Sequence, residues 1–244
     1  MKKIQLHRFI RKSHRYLGLI LGIQFLAWTI GGLYFSWTNI EEIRGDHLKK
    51  EKSFLNSKDL SISPADAISK NLKASDSIIS LSLEQILDKQ YYQVCYISEN
   101  RKHIALIDTK TAELRPPLSE KEAIEVARAS LNKKAFFLSA EYLTSAGKHH
   151  EYREKPLPAY AVTFDKPVQT TVYVSTEMGT VQSFRSTQWR VFDFLWMLHT
   201  MDYQERDNFN NYLLRAFSLF GIFTILSGFF LFYITSKNRR RKRK

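Results

Sequence analysis

The sequence predicts an α+β domain with antiparallel sheets, held by two transmembrane α-helices. Residues 17–37 form a run of 21 residues without a charged side chain, and residues 216–234 form a second such run of 19. An α-helix of about 20 apolar residues crosses the roughly 30 Å hydrocarbon core of a bilayer. Between the two runs, a helix-start pattern occurs twice, each time followed by residues with strand periodicity. These features predict two membrane spans around one mixed domain.

The net charge of +13 is confined to the two ends of the chain. Residues 1–15 carry six Lys and Arg, residues 237–244 carry seven, and neither segment contains an acid. Residues 38–215 balance 24 Lys and Arg with 24 Asp and Glu. Because a nucleic-acid-binding domain needs a basic folded surface, we expect no nucleic-acid partner. The basic ends are expected to contact membrane lipid instead.

The same charge bias predicts the orientation of the spans. Basic flanks beside apolar spans favour the cytoplasmic side. The N-terminus (1–16) and the tail (236–244) are therefore expected in the cytoplasm, with residues 38–212 on the periplasmic or extracellular side. The first span (17–37) is too long for a cleaved signal sequence and lacks a small-residue cleavage site, so we expect it to remain as an anchor. The second span is predicted over 213–235.

Glycines in both spans predict close helix packing, because small residues let membrane helices approach one another. The spans are expected to pack on each other, and a homodimer through the same surface is the alternative. The glycines concerned are Gly18, Gly22, Gly31, Gly32 and Gly228.

The segment between the spans begins with a polar stalk, residues 38–60, and then contains an internal repeat. Residues 63–68 (SPADAI) match residues 119–124 (SEKEAI) at an offset of 56. Each begins with a Ser cap and has an acid three residues later, as at a helix N-terminus. Two tandem αβββ units are predicted, over 61–117 and 118–187.

Each predicted helix precedes a predicted β-hairpin. Residues 91–97 and 103–108 flank the first hairpin loop, and residues 158–164 and 170–175 flank the second. The segments that close the two units, 107–112 and 174–179, match at an offset of 67. Since 67 exceeds 56 by 11, the second unit is expected to carry an extra surface loop around Gly147.

The repeated pattern, a Ser-x-x-acid-Ala-Ile helix start and a hairpin closing on Ile-Asp-x-x-Thr or Val-Ser-Thr-x-x-Gly, resembles the PepSY domain. The flanking sequences KSHRYLGLILG, LHTMDY and LSGFFLFY look like those of PepSY-associated transmembrane proteins of bacteria. This resemblance implies a bacterial inner-membrane protein with a periplasmic domain. PepSY domains resemble propeptides that inhibit metallopeptidases, which implies a role in binding or restraining a periplasmic or membrane protein partner.

The resemblance also implies an alternative function. Family members that act as ferric or ferric-siderophore reductases are similar to cytochromes b, so His14 and His199 are candidate ligands of haem b in an iron-uptake system. Two axial histidines must reach both faces of one porphyrin. The predicted spans place His14 and His199 at opposite membrane edges, so a shared haem would need a second copy or another subunit. The alternative interpretation makes His14 an interfacial residue and assigns His199 to an amphipathic interfacial helix within 188–212.

No catalytic residue and no metal site are predicted. Cys95 is the only cysteine, which excludes an intrachain disulfide and a CxxC motif. His149, His150 and Glu151 are adjacent in a loop, and adjacent side chains seldom face one ion. Motifs of hydrolases and nucleotide-binding enzymes are missing. A non-catalytic interaction role is therefore expected, and any enzymatic role would be that of a haem-dependent ferric reductase component.

Overall fold

The computed structural model describes the backbone of residues 2–51, 54–166 and 169–241 and, within these ranges, the side chains of residues 8–236. Pro167, in the second predicted hairpin loop, and residues 242–244, in the basic tail, lie outside the described residues. The chain divides into two compact units. The helical unit comprises residues 1–39 and 191–244, and the αβ domain comprises residues 40–190.

The described residues form six α-helices and seven β-strands. The helices are α1 (Lys2–Trp37), α2 (Ile40–Ile43), α3 (Pro64–Asn71), α4 (Glu120–Ala129), α5 (Thr187–Thr200) and α6 (Tyr212–Arg241). The strands are β1 (Ser77–Ile86), β2 (Lys89–Ser98), β3 (Arg101–Asp108), β4 (Phe137–Leu143), β5 (Ala159–Phe164), β6 (Thr170–Ser175) and β7 (Val181–Arg185). Short 3-10 turns lie at Asp46–Leu48 and Ser57–Asp59.

Helices α1 and α6 pack as an antiparallel pair in the helical unit. Each contains a segment long and apolar enough to cross a membrane, Arg8–Trp37 and Tyr212–Ser236. The ring of Phe217 lies 5.6 Å from that of Phe25 and 5.2 Å from that of Trp28. The first residues of α6 therefore lie beside Trp28, and the last third of α1 extends beyond them.

Helix α5 covers that last third of α1. The ring of Phe192 lies 4.9 Å from that of Phe35, and the side chain of Gln24 donates a 2.8 Å hydrogen bond to the carbonyl of Leu198. The aromatic side chains of α5 thus lie along α1. The chain then leaves the helix, since α5 ends at Thr200 and Met201 has a φ of 52°.

The αβ domain is α+β with two antiparallel sheets, as the sequence predicts. One sheet has the order β1-β2-β3 and the other has the order β4-β5-β6-β7. The predicted helix caps are present: Ser63 accepts the N–H of Asp66, and Ser119 forms a complete capping box with Glu122. The second sheet has four strands, whereas the αβββ pattern predicts three.

Apolar side chains from α4 and from the four-stranded sheet form the largest core of the αβ domain. They fill the space between helix and sheet because alternate residues of each strand point to the same face. Ala123, Ala127, Val162, Phe164, Val172 and Val174 have no exposed surface. A smaller core forms between α3 and the three-stranded sheet, around Ala67, Val94 and Ile107.

The two sheets share one turn geometry. The N–H of Asp108 donates to the carbonyl of Glu113 at 2.9 Å, and the N–H of Ser175 donates to the carbonyl of Thr180 at 3.1 Å. These pairs have the offset of 67 found in the sequence. After the turn in the first sheet, Leu114 forms a single β-bridge to Ile107. At the equivalent place in the second sheet, the whole strand β7 pairs with β6.

Both turns need a residue in the left-handed region. Gly179 has a φ of 67°, and a Cβ atom there would collide with Ile86. Ala112 stands at the equivalent position with a φ of 55°. The left-handed conformation is costly for alanine, and the Asp108 carboxylate, which accepts the N–H of Lys110 and of Thr111, helps to hold this turn.

Candidate functional site

His14 lies on α1 against the C-terminal half of α6. Its Nδ1 is 2.7 Å from the hydroxyl oxygen of Ser227. A Cβ atom at Gly228 would lie 3.2 Å from Cε1 of His14, so the glycine makes room for the imidazole. His14 is half-buried, in agreement with its position between α1 and α6.

His199 lies near the end of α5 in a group of aromatic side chains. Its ring centroid is 5.6 Å from Trp28, 5.9 Å from Phe35 and 6.3 Å from Trp196. Nδ1 of His199 and Nε1 of Trp28 are buried, and neither has a hydrogen-bond partner among the described residues. The arrangement encloses His199 in apolar surroundings.

The structure does not bring His14 and His199 together. His199 packs beside Trp28, which is 14 residues from His14 along α1. At 1.5 Å per residue, this is about 21 Å of helix. Two histidines that ligate one haem must contact the same iron from opposite faces. Within one chain, the two residues therefore do not fit a shared haem, and no electron-transfer step follows from this arrangement.

The predicted packing glycines divide into two groups. Gly228 contacts His14, and a Cβ atom at Gly31 would lie 4.0 Å from the carbonyl oxygen of Leu195. Apart from the adjacent residues and the local backbone of α1, no described atom lies within 4 Å of a Cβ position on Gly18, Gly22 or Gly32. The surface of these three glycines is therefore open, and the homodimer predicted through it remains a prediction.

Substituting Gly228 is expected to separate α1 from α6. In Gly228→Leu the new side chain displaces His14 and breaks its contact with Ser227, which should destabilise the helix pair by about 1–3 kcal/mol, as overpacking does. Gly18→Leu is the matched control, because its Cβ meets open space. Thermal unfolding of the full chain in neutral detergent measures both, and equal losses in the two variants would contradict the packing described here.

A network of buried polar side chains, missed in the sequence, organises the connection between α5 and α6. The carboxylate of Asp202 accepts the N–H groups of Gln204, Glu205 and Asn208 at 3.2, 3.1 and 2.8 Å. Burial raises the pKa of Asp202, but these backbone hydrogen bonds outweigh it and lower the pKa. Asp193, 4 % exposed, pairs with Arg206. The network explains why residues 201–211 are ordered without being helical.

In the loop that contains His149, His150 and Glu151, the three side chains make separate contacts. Nδ1 of His150 accepts the N–H of Tyr152 at 3.0 Å, while the side chain of His149 is exposed. Among the described residues, no group of three or more His, Cys, Asp and Glu side chains could hold a metal ion. The side chain of Glu151 makes ion-pair and hydrogen-bond contacts instead.

Glu151 forms the centre of a half-buried ion pair. Its carboxylate accepts hydrogen bonds from Nε and Nη2 of Arg190 at 2.7 and 2.8 Å and from the hydroxyl of Tyr173 at 2.8 Å. The hydrogen bond to Glu151 raises the pKa of Arg190, and burial, together with the negative charge of Glu151, raises that of Tyr173. Burial also raises the pKa of the stacked Tyr152 to about 12. The extra loop is thereby joined to β6 and to the first turn of α5.

The first strand of each sheet is an uncovered edge. In the described part of the chain, no strand pairs with the outer side of β1 or of β4. Both edges carry exposed apolar side chains, among them Ile79 (52 % exposed) and Leu138 (53 % exposed). Both strands also have an irregular register near their start, at Ile78/Ser80 and at Phe137/Ser139. Each edge therefore offers a ligand a strand with an unpaired side and exposed apolar side chains.

Comparisons of the chain with protein-family models, with curated proteins and with solved structures found no match. The strand segments predicted from the sequence do not include β4. The signal was available in residues 133–138, KKAFFL, where four consecutive apolar residues follow two lysines. Such a run in a strand with one buried face leaves apolar side chains on the other face.

Proposed function

We propose that this chain is a two-pass protein of the bacterial inner membrane whose αβ domain binds another envelope protein and catalyses no reaction. In this proposal both termini are cytoplasmic and the αβ domain is periplasmic. One observation carries the binding role: each sheet leaves its first strand unpaired on one side, with large apolar side chains exposed.

An open edge strand is a recognised route for binding a polypeptide. Its free N–H and C=O groups pair with an added strand, and pockets beside it select the side chains. Soluble domains usually protect such edges, because unpaired strands also promote aggregation. The edges β1 and β4 retain Ile78, Ile79 and Leu138 as exposed residues. Retaining such edges is easier to explain if a partner covers them.

The repeated hydrogen bonds support the finer proposal of two PepSY-like units in tandem. The N–H of Ile62, just before the Ser63 cap, donates to the carbonyl of Thr109 at 3.0 Å. The N–H of Leu118, just before the Ser119 cap, donates to the carbonyl of Thr176 at 2.9 Å. Each unit thus joins its helix start to its closing turn by the same bond. The PepSY resemblance makes inhibition of a bound peptidase a candidate role for the αβ domain.

The location rests on the two apolar helices and on the charge at both ends. Arg8–Trp37 and Tyr212–Ser236 are long and apolar enough to cross a membrane. The basic residues beside both spans favour cytoplasmic ends. A periplasmic αβ domain follows, because residues 40–190 connect the outer ends of the two helices in this orientation.

Photocrosslinking in living cells tests the binding role. A photoreactive benzoylphenylalanine would replace Ile79 on β1 or Leu138 on β4, both exposed, and Glu125 on the exposed surface of α4 as the matched control. We expect covalent adducts with a second envelope protein from the strand positions and several-fold fewer from Glu125. Adducts only with lipid, or only with other copies of this chain, would contradict the proposal.

A further inference from the structure

We propose that the groove beside the start of β4 binds an acidic, extended segment of the partner protein, which adds to β4 as an extra strand. The inference rests on the proposed function and specifies which edge is used and which chemistry it recognises. The basic groove is formed by residues 49–51 and 131–137 together with Arg128, and its volume is about 1020 Å³. This slightly exceeds the usual range for small-molecule pockets, about 300–1,000 Å³, and suits a stretch of polypeptide.

The charge of the groove is strongly positive. Five Lys and Arg side chains line it against one acid, Glu51; they are Lys49, Lys50, Arg128, Lys133 and Lys134. Lys49 pairs with Asp46. The other four form no ion pair among the described residues. A cluster of uncompensated cations in a domain of nearly balanced charge indicates an anionic ligand.

Backbone hydrogen bonds build the groove from two distant parts of the chain. The N–H of Lys50 donates to the carbonyl of Ser130 at 2.8 Å, and the N–H of Asn132 donates to the carbonyl of Leu48 at 3.0 Å. Lys49 and Leu131 form an antiparallel bridge between them. The lysines at 49–50 and 133–134 are therefore held near one another by the fold rather than by chance proximity of flexible side chains.

The adjoining edge determines the class of ligand. Lys133 and Lys134 lie four and three residues before the first residue of β4, and Phe136, which directly precedes β4, is 73 % exposed. An edge strand offers donors and acceptors with a spacing that matches another polypeptide strand. Lipid headgroups and free phosphate satisfy the cations but cannot pair with this edge. An acidic polypeptide satisfies both.

The position of charge along β4 also sets the polarity of the ligand. The cations lie at the Phe137 end of the strand, whereas the exposed Glu141 lies towards its other end. The acidic residues of the ligand should therefore lie at one end of the segment. β4 has 7 residues, which at about 3.3 Å per residue spans roughly 23 Å. The bound segment is expected to be of similar length.

Fluorescence anisotropy with the full chain in neutral detergent tests the proposal. The probe is a fluorescein-labelled peptide of about ten residues, acidic in one half and alternating Val and Thr in the other, long enough to pair along β4. One control peptide replaces its acids by Gln, and a second carries Pro at alternate positions of the apolar half, which prevents strand pairing. We expect the probe to bind and both control peptides to bind at least about tenfold more weakly.

Charge reversal identifies the groove. Lys133→Glu with Lys134→Glu is expected to weaken binding of the probe by at least about tenfold, because two attractive charges become repulsive. Arg101→Glu with Lys102→Glu, an exposed basic pair at the first hairpin, is the matched control and should leave binding unchanged. All four side chains are exposed, so thermal unfolding of both double variants should match that of the original chain.

Several results would overturn the inference. One is equal binding of the probe and either control peptide, and another is no effect on probe binding when the charges of Lys133 and Lys134 are reversed. A third is that the protein does not bind the probe but binds anionic vesicles in a way that depends on these lysines. Photocrosslinks to a second envelope protein from Leu138 that survive the reversal would also overturn it while leaving the proposed function intact. Failure of crosslinking from both strand edges would contradict the proposed function itself.

Discussion

Replacing Phe164 by alanine is expected to lower the free energy of unfolding of the αβ domain by about 3–5 kcal/mol. Phe164 ends β5, has no exposed surface and packs in the core between α4 and the four-stranded sheet. Truncation removes its apolar surface from the core and leaves a cavity that close-packed neighbours fill only in part. Urea denaturation of the full chain in detergent, followed by brief proteolysis, measures the change.

Phe136→Ala is the control for this experiment. Phe136 has the same side chain close to the same sheet, but it is 73 % exposed. Its truncation should change stability by no more than about 0.5 kcal/mol, as at most exposed positions. If Phe136→Ala proved as costly as Phe164→Ala, the assignment of β5 to the core and of Phe136 to the surface would be wrong.

Replacing Glu151 by glutamine is expected to have the next largest effect, a loss of about 2 kcal/mol. The full cost of breaking a buried ion pair is about 3–5 kcal/mol. The Arg190 side chain is 37 % exposed, and solvent screening reduces the cost accordingly. Glutamine has nearly the same shape but is neutral. It therefore replaces the carboxylate that accepts two hydrogen bonds from Arg190 and one from the buried Tyr173. Urea denaturation of the full chain in detergent, followed by brief proteolysis, measures this loss of unfolding free energy.

Glu154→Gln is the matched control for Glu151→Gln. It makes the same chemical change three residues later in the same loop, at an exposed side chain. We expect no more than about 0.5 kcal/mol from it. A Glu151→Gln variant as stable as Glu154→Gln would show that the contacts of Glu151 contribute little to holding the loop on β6.

Elements with a strong local signal could be predicted from the sequence. The Ser63 and Ser119 caps predict helix starts because a side-chain oxygen and an acid three residues later satisfy the first backbone N–H groups. The hairpin β2–β3 was predicted because alternating β-branched and aromatic residues flank a polar loop. β4 was missed because its FFL run has no alternation, and β7 because a short strand gains its stability from the neighbour it pairs with.

The residues of the candidate groove could not be found from spacing alone. Lys50 and Lys134 are far apart in the sequence and come together only through the ladder between residues 48–50 and 130–132. The same holds for Glu151 and Arg190, which are 39 residues apart. In the sequence the neighbours of Glu151 are His149 and His150, whereas its partners in the fold come from β6 and α5.

The sequence by itself determined the two apolar spans, the capped helices, the hairpins and the unequal distribution of charge. Each of these depends on neighbouring residues or on composition, and a local pattern therefore specifies it. Only the tertiary structure decided that His14 contacts Ser227, that α5 lies along α1, that β1 and β4 remain uncovered, and that lysines from two segments form one groove. These features depend on long-range packing, in which many weak contacts are optimised together and no single pair of residues leaves a signature in the sequence.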